Sequence, residues 1–219
     1  RRSCSVRVSD LGRARYVDYY TEMCQRQHVR VVKSTSWMVR MVSASRTDRI
    51  LCVGAAIFDS IAVVGHMPNA DERIVADAIT HHAGGPASTA AAVVGRMGQP
   101  VDFIGVVGAD SMADVLRRSL RDFNVGTDGV RRTGATAQCL IIVCTDSNTL
   151  AIVTVVPPAP VLDDAPNAYA WVHVDHSGYS SIAPYLNDPS RPFRVSVDDG
   201  NPISGLEIQG LDLYAPTLA

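Results

Sequence analysis

Two short apolar runs, each closed by a glycine, constrain the fold of this chain more than any other feature of its sequence. The run from Ile50 to Val53 ends at Gly54, and the run from Val101 to Val107 ends at Gly108. Apolar runs of this length are typical of strands that are buried on both faces of a parallel sheet. They predict a parallel sheet at the centre of the molecule.

Two helical segments alternate with these strands. An alanine-rich stretch from Ala87 to Met97 follows the glycine pair at 84–85, and its small side chains predict a helix that packs closely. Ser111 and Asp114 form a capping-box-like start to a second helix. Apolar residues repeat at helical spacing in that helix: Met112, Val115, Leu116, Leu120 and Phe123.

Four extended segments show a different pattern, with mixed apolar and polar faces. Residues 61–64 and 74–79 are separated by the turn sequence HMPNADER, and residues 138–143 and 150–156 are joined by the polar turn TDSN. The second pair is typical of a hairpin rather than a crossover unit. We predict that these segments form a small sheet outside the main one.

Further strands are predicted after the breaker sequence PPAPVLDDAP, at Trp171 to Val174, Arg194 to Val197 and Leu211 to Tyr214. Each of them ends in a polar or glycine-containing loop. The alternation of buried strands with helices, interrupted by the extended segments, predicts an α/β sandwich that carries a β-sheet lid.

Polar residues at the ends of the predicted strands are the first candidates for function. In open α/β sheets, ligands bind beyond the carboxyl ends of the parallel strands. Asp59, Gly84, Gly85 and the loop at 198–201 meet this condition. A carboxylate can accept two hydroxyl hydrogen bonds, and amides at a glycine turn can hold hydroxyl or anionic oxygens. Asp59 could equally cap a turn, and the glycines could serve close helix packing alone.

Four landmarks occur in the order and at the spacing of a known family. They are GAAIFD at 54–59, AGGPASTAAAVVGRMG at 83–98, VDFIGVVGAD at 101–110 and VSVDDGNP at 195–202. The pattern resembles the N-terminal portion of the ribokinase-like, PfkB-type carbohydrate kinases, and it covers essentially all of residues 49–219. The resemblance implies a ribokinase-like three-layer α/β/α sandwich with a small β-sheet lid, incomplete at the C-terminus.

The resemblance also implies roles for individual residues. Asp59 would bind sugar hydroxyls, and Gly84 and Gly85 would form the turn that contacts the substrate. Asp199 and Asn201 resemble an element that lines the phosphate end of the pocket, although the arginine that often follows it in the family is absent here. These residues are the substrate-binding set that the resemblance implies.

Thr89 belongs to the same implied set but departs from the family pattern, which usually has asparagine at this position. Threonine offers one hydroxyl instead of an amide that both donates and accepts hydrogen bonds, so the choice of substrate stays open. The segment GGPASTAA resembles the sulfofructose-kinase branch of the family. A sulfofructose-like sugar or another ketohexose is therefore an alternative substrate, as is a nucleoside.

The function implied by the resemblance is ATP-dependent phosphorylation of a sugar or sugar-like substrate, with Mg²⁺ as helper. The family's GAGD segment, which supplies the catalytic base and an anion hole, is expected beyond Ala219, so no catalytic residue is assigned within the chain. We expect this chain alone to hold the sugar-binding half without activity. A non-catalytic sugar-binding or regulatory pseudo-kinase is the alternative. The family often forms homodimers through its lid.

Residues 1–40 differ in composition from the rest of the chain. They hold nine Lys or Arg against three acidic residues, whereas residues 41–219 hold eleven against nineteen. The basic segment has no sustained helical or strand period. We interpret it as a non-native or disordered extension, with Met41 as the natural start of a partial kinase domain at 41–219. An organelle transit peptide and a nucleic-acid-binding arm are the alternatives.

Other classes of function have little support in the sequence. No run approaches the length of about eighteen apolar residues that a membrane span requires. The five cysteines include no CxxC pair and no zinc-ligand spacing, so a reducing cytoplasm fits best. The histidines at 81–82 and at 173 and 176 lack the spacing of a helical metal site. Residues 41–219 are acidic overall and lack the basic pattern typical of a nucleic-acid-binding surface, and the sequence contains no GxGxxG dinucleotide fingerprint.

Overall fold

The computed structural model describes residues 48–216, so the expectations for residues 1–40 lie outside the described part. The described chain forms a seven-stranded main sheet and a four-stranded second sheet. All pairings in the main sheet are parallel, as the apolar runs predict. Its strands are β1 (Ile50–Val53), β4 (Val101–Val107), β5 (Val125–Gly126), β6 (Val130–Arg132), β9 (Trp171–Val174), β10 (Arg194–Asp199) and β11 (Leu213–Pro216).

The strand order of the main sheet is β11-β10-β9-β1-β4-β5, and β6 also pairs with β4. The chain builds outward from β1 on one side and then returns to add β9, β10 and β11 on the other side. The direction of winding therefore reverses between β1 and β9, which are neighbours in the sheet. Such a reversal is the topological switch point of an open α/β sheet.

Helices and apolar clusters cover the two faces of the main sheet. Helices α1 (Pro86–Arg96) and α2 (Ser111–Asp122) pack on one face. The short helix α3 (Tyr179–Ile182), continued by a 3-10 turn at Ala183–Tyr185, packs on the other face. Along β1, Cys52 belongs to the first apolar cluster, whereas its neighbours Leu51 and Val53 belong to the second, as the alternation of a strand requires. This arrangement confirms the predicted three-layer sandwich.

The start of α2 differs from the predicted capping box at Ser111 and Asp114. Asp110 is the N-cap residue, and its Oδ1 accepts a hydrogen bond of 3.0 Å from the Ala113 N–H. Thr136 donates both its hydroxyl and its backbone N–H to the same carboxylate, which lowers the pKa of Asp110 to about 2. Asp114 instead forms an ion pair of 2.8 Å with Arg132. Asp110 is the better cap because its carboxylate also joins the helix to the loop that contains Thr136.

The second sheet, called the lid sheet below, has the order β3-β2-β7-β8. Its strands are β2 (Ile57–Val64), β3 (Ala78–Gly84), β7 (Gln138–Cys144) and β8 (Thr149–Thr154). β7 and β8 are antiparallel and form the hairpin that the sequence indicates. β2 pairs antiparallel with β3 and parallel with β7, so it joins the hairpin to the preceding part of the chain.

Several strand bounds differ from the predicted ones. β2 begins at Ile57 rather than at residue 61, so Asp59 lies within this strand, and β8 spans Thr149–Thr154 rather than 150–156. β3 begins at Ala78 rather than at residue 74, and it runs on to Gly84, because its partner β2 already starts at Ile57 and pairs with it along its length. β11 begins at Leu213 rather than at residue 211. Asp212 precedes it and bonds to the backbone of Val195 through both its N–H and its carboxylate, which fixes where the pairing begins.

Candidate functional site

The loops that leave β1 and β9 meet at the switch point of the main sheet. Residues 54–56 lead from β1 to β2, and residues 175–178 lead from β9 to α3. Ligands of open α/β sheets bind outside the carboxyl ends of the strands at such a point. We call residues 54–56, 84–89 and 175–178 the switch-point region.

Asp175, the first residue after β9, is completely buried in this region. Its Oδ2 accepts hydrogen bonds from the N–H groups of Ala55 (2.8 Å) and Ala87 (3.0 Å). Its Oδ1 accepts hydrogen bonds from the N–H groups of Ser177 (2.9 Å) and Gly178 (3.1 Å). A buried carboxylate is costly unless hydrogen bonds compensate it, and here both oxygens are compensated by backbone groups. Asp175 therefore ties the β1–β2 loop, the start of α1 and its own loop together.

Two glycines allow this close packing. A Cβ on Gly54 would lie 2.1 Å from Oδ1 of Asp175, and a Cβ on Gly178 would lie 2.0 Å from the carbonyl oxygen of Val53. Both distances are far below normal contact, so any side chain at these positions would displace the loops. The glycine of GAAIFD and the glycine after Ser177 are thus required by the approach of β1 to β9.

Gly84 and Gly85 form a corner between the lid sheet and the first helix, here called the glycine corner. Gly84 is the last residue of β3, and Gly85 is the N-cap of α1 with a φ of 104°. A Cβ on Gly85 would lie 2.4 Å from the carbonyl oxygen of Ala55, so this position combines a backbone conformation suited to glycine with close contact. The buried Ser88 hydroxyl donates to the Gly84 carbonyl oxygen at 2.6 Å and fixes the corner from inside.

Asp59 lies on β2 next to the glycine corner, and its side chain is only 3 % exposed. It is opposite His82 in the ladder, and Ile57, two residues away, is opposite Gly84. Two residues of strand correspond to about 7 Å, so Asp59 and the corner are neighbours. The pKa of His82 is lowered, mainly by burial and to a lesser extent by the charge of His81. Cys139 lies opposite Asp59 in the neighbouring strand, and its pKa is raised, mainly by burial and to a lesser extent by the charge of Asp59. Both side chains are therefore mainly uncharged at neutral pH.

Thr89 is in the first turn of α1, where it is half-buried and donates its N–H to the Gly85 carbonyl oxygen at 2.9 Å. Asp199 and Asn201 lie at the carboxyl end of β10, on the same edge of the main sheet. β10 is two strands from β1, which corresponds to about 9–10 Å. The structure thus groups Asp59, the glycine corner and Thr89, and it places Asp199 and Asn201 further along the edge.

The carboxylate of Asp199 is half satisfied by the protein. The Tyr214 hydroxyl donates to its Oδ2 at 2.5 Å, and this bond raises the pKa of Tyr214. The other oxygen, Oδ1, is buried and has no hydrogen-bond partner among residues 48–216. Buried polar atoms are usually paired, so an unpaired carboxylate oxygen at the ligand edge is a candidate contact for a bound group.

Asp175 and Ser88 are the parts of the site that the sequence analysis missed. The only local signal for Asp175 is a carboxylate that follows an apolar strand, the same signal that singled out Asp59. Its partners Ala55 and Ala87 are distant in the chain, and no sequence period connects them.

Metal and membrane features are absent from the part of the chain that the structure describes. Within residues 48–216, no three His, Cys, Asp or Glu side chains form a group that could hold a metal ion. None of the helices described there has the length and apolar character needed to span a membrane.

The chain matches a family model described as pfkB family carbohydrate kinase over residues 47–196. Its fold is similar to that of Arabidopsis thaliana ribokinase complexed with ribose and ATP, with a TM-score of 0.63 and 20 % identity, covering 78 % of this chain and 60 % of that one. Ribokinase from Cryptococcus neoformans var. grubii serotype A in complex with ADP has a TM-score of 0.54 and 24 % identity, and the match covers 69 % of this chain and 49 % of that one. Halothermothrix orenii fructokinase has a TM-score of 0.58 and 18 % identity, and the match covers 68 % of this chain and 56 % of that one. The chain therefore spans about half to three fifths of these proteins.

Proposed function

The chain belongs to the pfkB family of carbohydrate kinases, and on this basis we propose that its protein transfers the γ-phosphate of ATP to a hydroxyl group of a sugar or sugar-like nucleoside. Residues 48–216 supply the sugar-binding side of this reaction. Pentoses and ketohexoses are the first candidate substrates, because the structurally similar proteins include ribokinases and a fructokinase.

The observation that carries the proposal is the position of Asp59 beside the glycine corner. A buried carboxylate can accept hydrogen bonds from two neighbouring hydroxyl groups, which is the pattern that a sugar presents. Asp59 is 3 % exposed, and the ladder places it two residues from the pair formed by Ile57 and Gly84. The corner has no side chains of its own, so a polyol can approach its backbone closely.

ATP and Mg²⁺ are the cofactors of the proposed reaction. When bound to ATP, Mg²⁺ would neutralise negative charge that develops on the transferred phosphoryl group. This cation is usually held by one or two carboxylates together with phosphate oxygens and water. Asp199 fits such a role because its Oδ1 has no partner among residues 48–216, and the exposed Asn201 lies on the same loop. We assign both residues to the phosphate side of the site.

A titration of the chain with ribose, fructose and adenosine tests the sugar-binding assignment. We expect one of these classes to bind, and we expect Asp59→Asn to weaken that binding by about 10- to 100-fold, because a hydrogen bond to a charged group is lost. Asp163→Asn is the matched control, since Asp163 is an exposed partner of Arg131 outside the switch-point region. Equal affinities for both variants and the unmodified chain would contradict the role of Asp59.

We further propose that these 219 residues bind sugar without transferring phosphate. They contain no GAGD segment, which the family uses for its catalytic base and anion hole. A coupled assay of ADP release with ATP, Mg²⁺ and each candidate sugar tests the point. Turnover at ordinary kinase rates of about 1–100 s⁻¹ would refute it.

A homodimer through the lid sheet is the proposed assembly. Ile79, Leu140 and Val153 share one face of this sheet according to the strand register. Their side chains are 65 %, 48 % and 69 % exposed. A contiguous exposed apolar face marks an interaction surface more often than isolated apolar residues do. A second copy of the same face would cover it.

A further inference from the structure

We propose that Asp175 is the positioning residue of the sugar site: its buried carboxylate fills the anion position at the start of α1 and so reserves the glycine corner for neutral hydroxyl groups. The inference rests on the proposed function, since it concerns how that site is held and what it accepts. It assigns no contact with substrate to Asp175 itself, because both of its carboxylate oxygens are taken by backbone N–H groups.

The start of a helix attracts anions because its first N–H groups lack partners and its dipole is positive there. In α1 the N–H groups of the first turn already donate hydrogen bonds to other groups of the protein. The Ala87 N–H donates to Asp175, and the next two N–H groups, of Ser88 and Thr89, donate to the carbonyl oxygens of Ala55 (3.3 Å) and Gly85 (2.9 Å). Pro86, the first residue of the helix, has no N–H. The donors of the first turn that could hold a phosphate are therefore already used.

This arrangement changes what the glycine corner can recognise. A helix start with free donors would bind phosphate or sulfonate groups, and the sequence alone left that open. With a negative charge already buried beneath it, the corner disfavours a second anion and retains room for uncharged groups. We therefore expect a neutral hydroxyl face of the substrate at the corner, with any anionic group of the substrate held elsewhere.

Asp175 also sets the geometry of the residues that would touch the sugar. It anchors Ala55, and the carbonyl oxygen of Ala55 is the atom against which Gly85 packs. β2 begins two residues after Ala55 and carries Asp59. One carboxylate thus fixes the spacing between Asp59 and the glycine corner, and a change at residue 175 should alter sugar affinity without removing a sugar contact.

The first experiment compares two Asp→Asn variants by sugar titration and thermal unfolding. Asp175→Asn replaces two acceptor positions with an NH₂ group that faces backbone donors, and we expect sugar affinity to fall by about tenfold or more. Asp212→Asn is the control, because Asp212 also accepts a backbone N–H, from Val195 at 2.8 Å, but lies at the amino end of β10. We expect this control to unfold at a lower temperature with unchanged affinity. An Asp175→Asn variant with unchanged sugar affinity would overturn the proposal.

The second experiment restores the missing carboxylate with a small anion. Asp175→Gly leaves backbone donors unpaired, and formate should occupy their site and raise the unfolding temperature by at least about 2 °C relative to chloride. Inorganic phosphate should also bind to this variant. The unmodified chain and Asp188→Gly, which loses an exposed carboxylate that accepts the Ser190 N–H, should respond to neither anion. If Asp175→Gly folds only in formate, the yield of refolded protein with and without formate gives the same answer. Equal responses of all three proteins would overturn the proposal.

The two experiments separate this inference from the proposed function. If no sugar binds to the unmodified chain, the proposed function fails. The formate and phosphate measurements still decide whether Asp175 fills an anion position, because they need no sugar.

Discussion

The main sheet and the lid sheet differ in how they are stabilised. Leu51, Val53, Val172 and Val174 in the main sheet are completely buried, and helices cover both of its faces. In the lid sheet, by contrast, Ile79 is 65 % exposed, and five of the six residues of β8 are exposed. The main sheet contains its own core, whereas the lid sheet leaves apolar surface for something else to cover. The difference indicates that the main sheet depends more on its own buried side chains for stability than the lid sheet does.

The largest effect is expected from the same substitution in the two sheets. Leu51→Ala removes a completely buried side chain from β1 and should lower the free energy of unfolding by about 2–5 kcal/mol. Leu140→Ala, in β7 of the lid sheet, removes a half-exposed side chain and should cost less than about 1 kcal/mol. Urea unfolding of both variants measures the contrast. Equal losses would show that the lid sheet has a core of its own.

The connection between the two sheets can be tested at the glycine corner. Gly85→Ala places a Cβ 2.4 Å from the Ala55 carbonyl oxygen at a positive φ, and we expect a loss of about 2–4 kcal/mol. Gly98→Ala is the matched control, since Gly98 also has a positive φ but open space around it, and should cost about 1 kcal/mol. Thermal unfolding distinguishes the two. A loss at residue 85 no greater than that at residue 98 would mean that the corner adapts.

The exposed face of the lid sheet can be tested with two isoleucines of equal exposure. Ile79→Glu puts a charge on this face, whereas Ile208→Glu puts one on an exposed residue outside the lid sheet; the parent side chains are 65 % and 64 % exposed. We expect Ile79→Glu to weaken self-association by about 1–3 kcal/mol and Ile208→Glu to leave it unchanged. Sedimentation over a concentration series measures both. Unaltered association of Ile79→Glu would exclude this face as the dimer surface.

The smallest effect is expected from pH at the turn between β2 and β3. The hydrogen bond to Glu72 raises the pKa of His66, while the Asn69 backbone N–H, followed by His66, lowers the pKa of Glu72 from 4.5 to about 2. The histidine contribution is present below its unfolded pKa and is lost as pH rises through the raised value. The glutamate contribution is present above pH 4.5 and is lost as pH falls toward about 2.

The stabilising contributions of His66 and Glu72 are both present on the acid side of neutrality, so the backbone amides of the turn should exchange most slowly there. The effect is small because the pair is exposed to solvent. Amide hydrogen exchange of Asn69 between about pH 4 and pH 8 provides the measurement. Glu72→Gln should flatten the pH profile of Asn69 exchange, after correction for intrinsic exchange. A profile unchanged by this substitution would show that the His66–Glu72 pair does not stabilise the turn.

Much of the main sheet could be predicted because its strands are encoded locally. The runs at 50–53, 101–107 and 171–174 became strands with the predicted bounds, since continuous apolar segments between turn residues allow few alternatives. The short strands β5 and β6 could not be predicted, because two or three residues carry no period. β3 was misplaced because its extent is set by its partner β2 and not by its own sequence.

The same division applies to the site. Asp59 and the glycine corner could be proposed from the sequence because a carboxylate after a predicted strand and a glycine pair before a helix are local patterns. The role of Asp175 depends on Ala55 and Ala87, which reach it only in the folded chain. A sequence can indicate which residues are suited to touch a ligand, but it does not indicate which buried group holds them in place.

The parallel pairing of β2 with β7 has a consequence for how the protein reaches its folded state. Phe58 pairs with Gln138, and the chain between them includes both long helices and the strands β3 to β6. Contacts between such distant segments carry a high loop-closure entropy and form slowly. The β7–β8 hairpin can form early by itself, but it can join β2 only after the intervening chain has collapsed. The lid should therefore be completed last during folding and should be the first part to come apart.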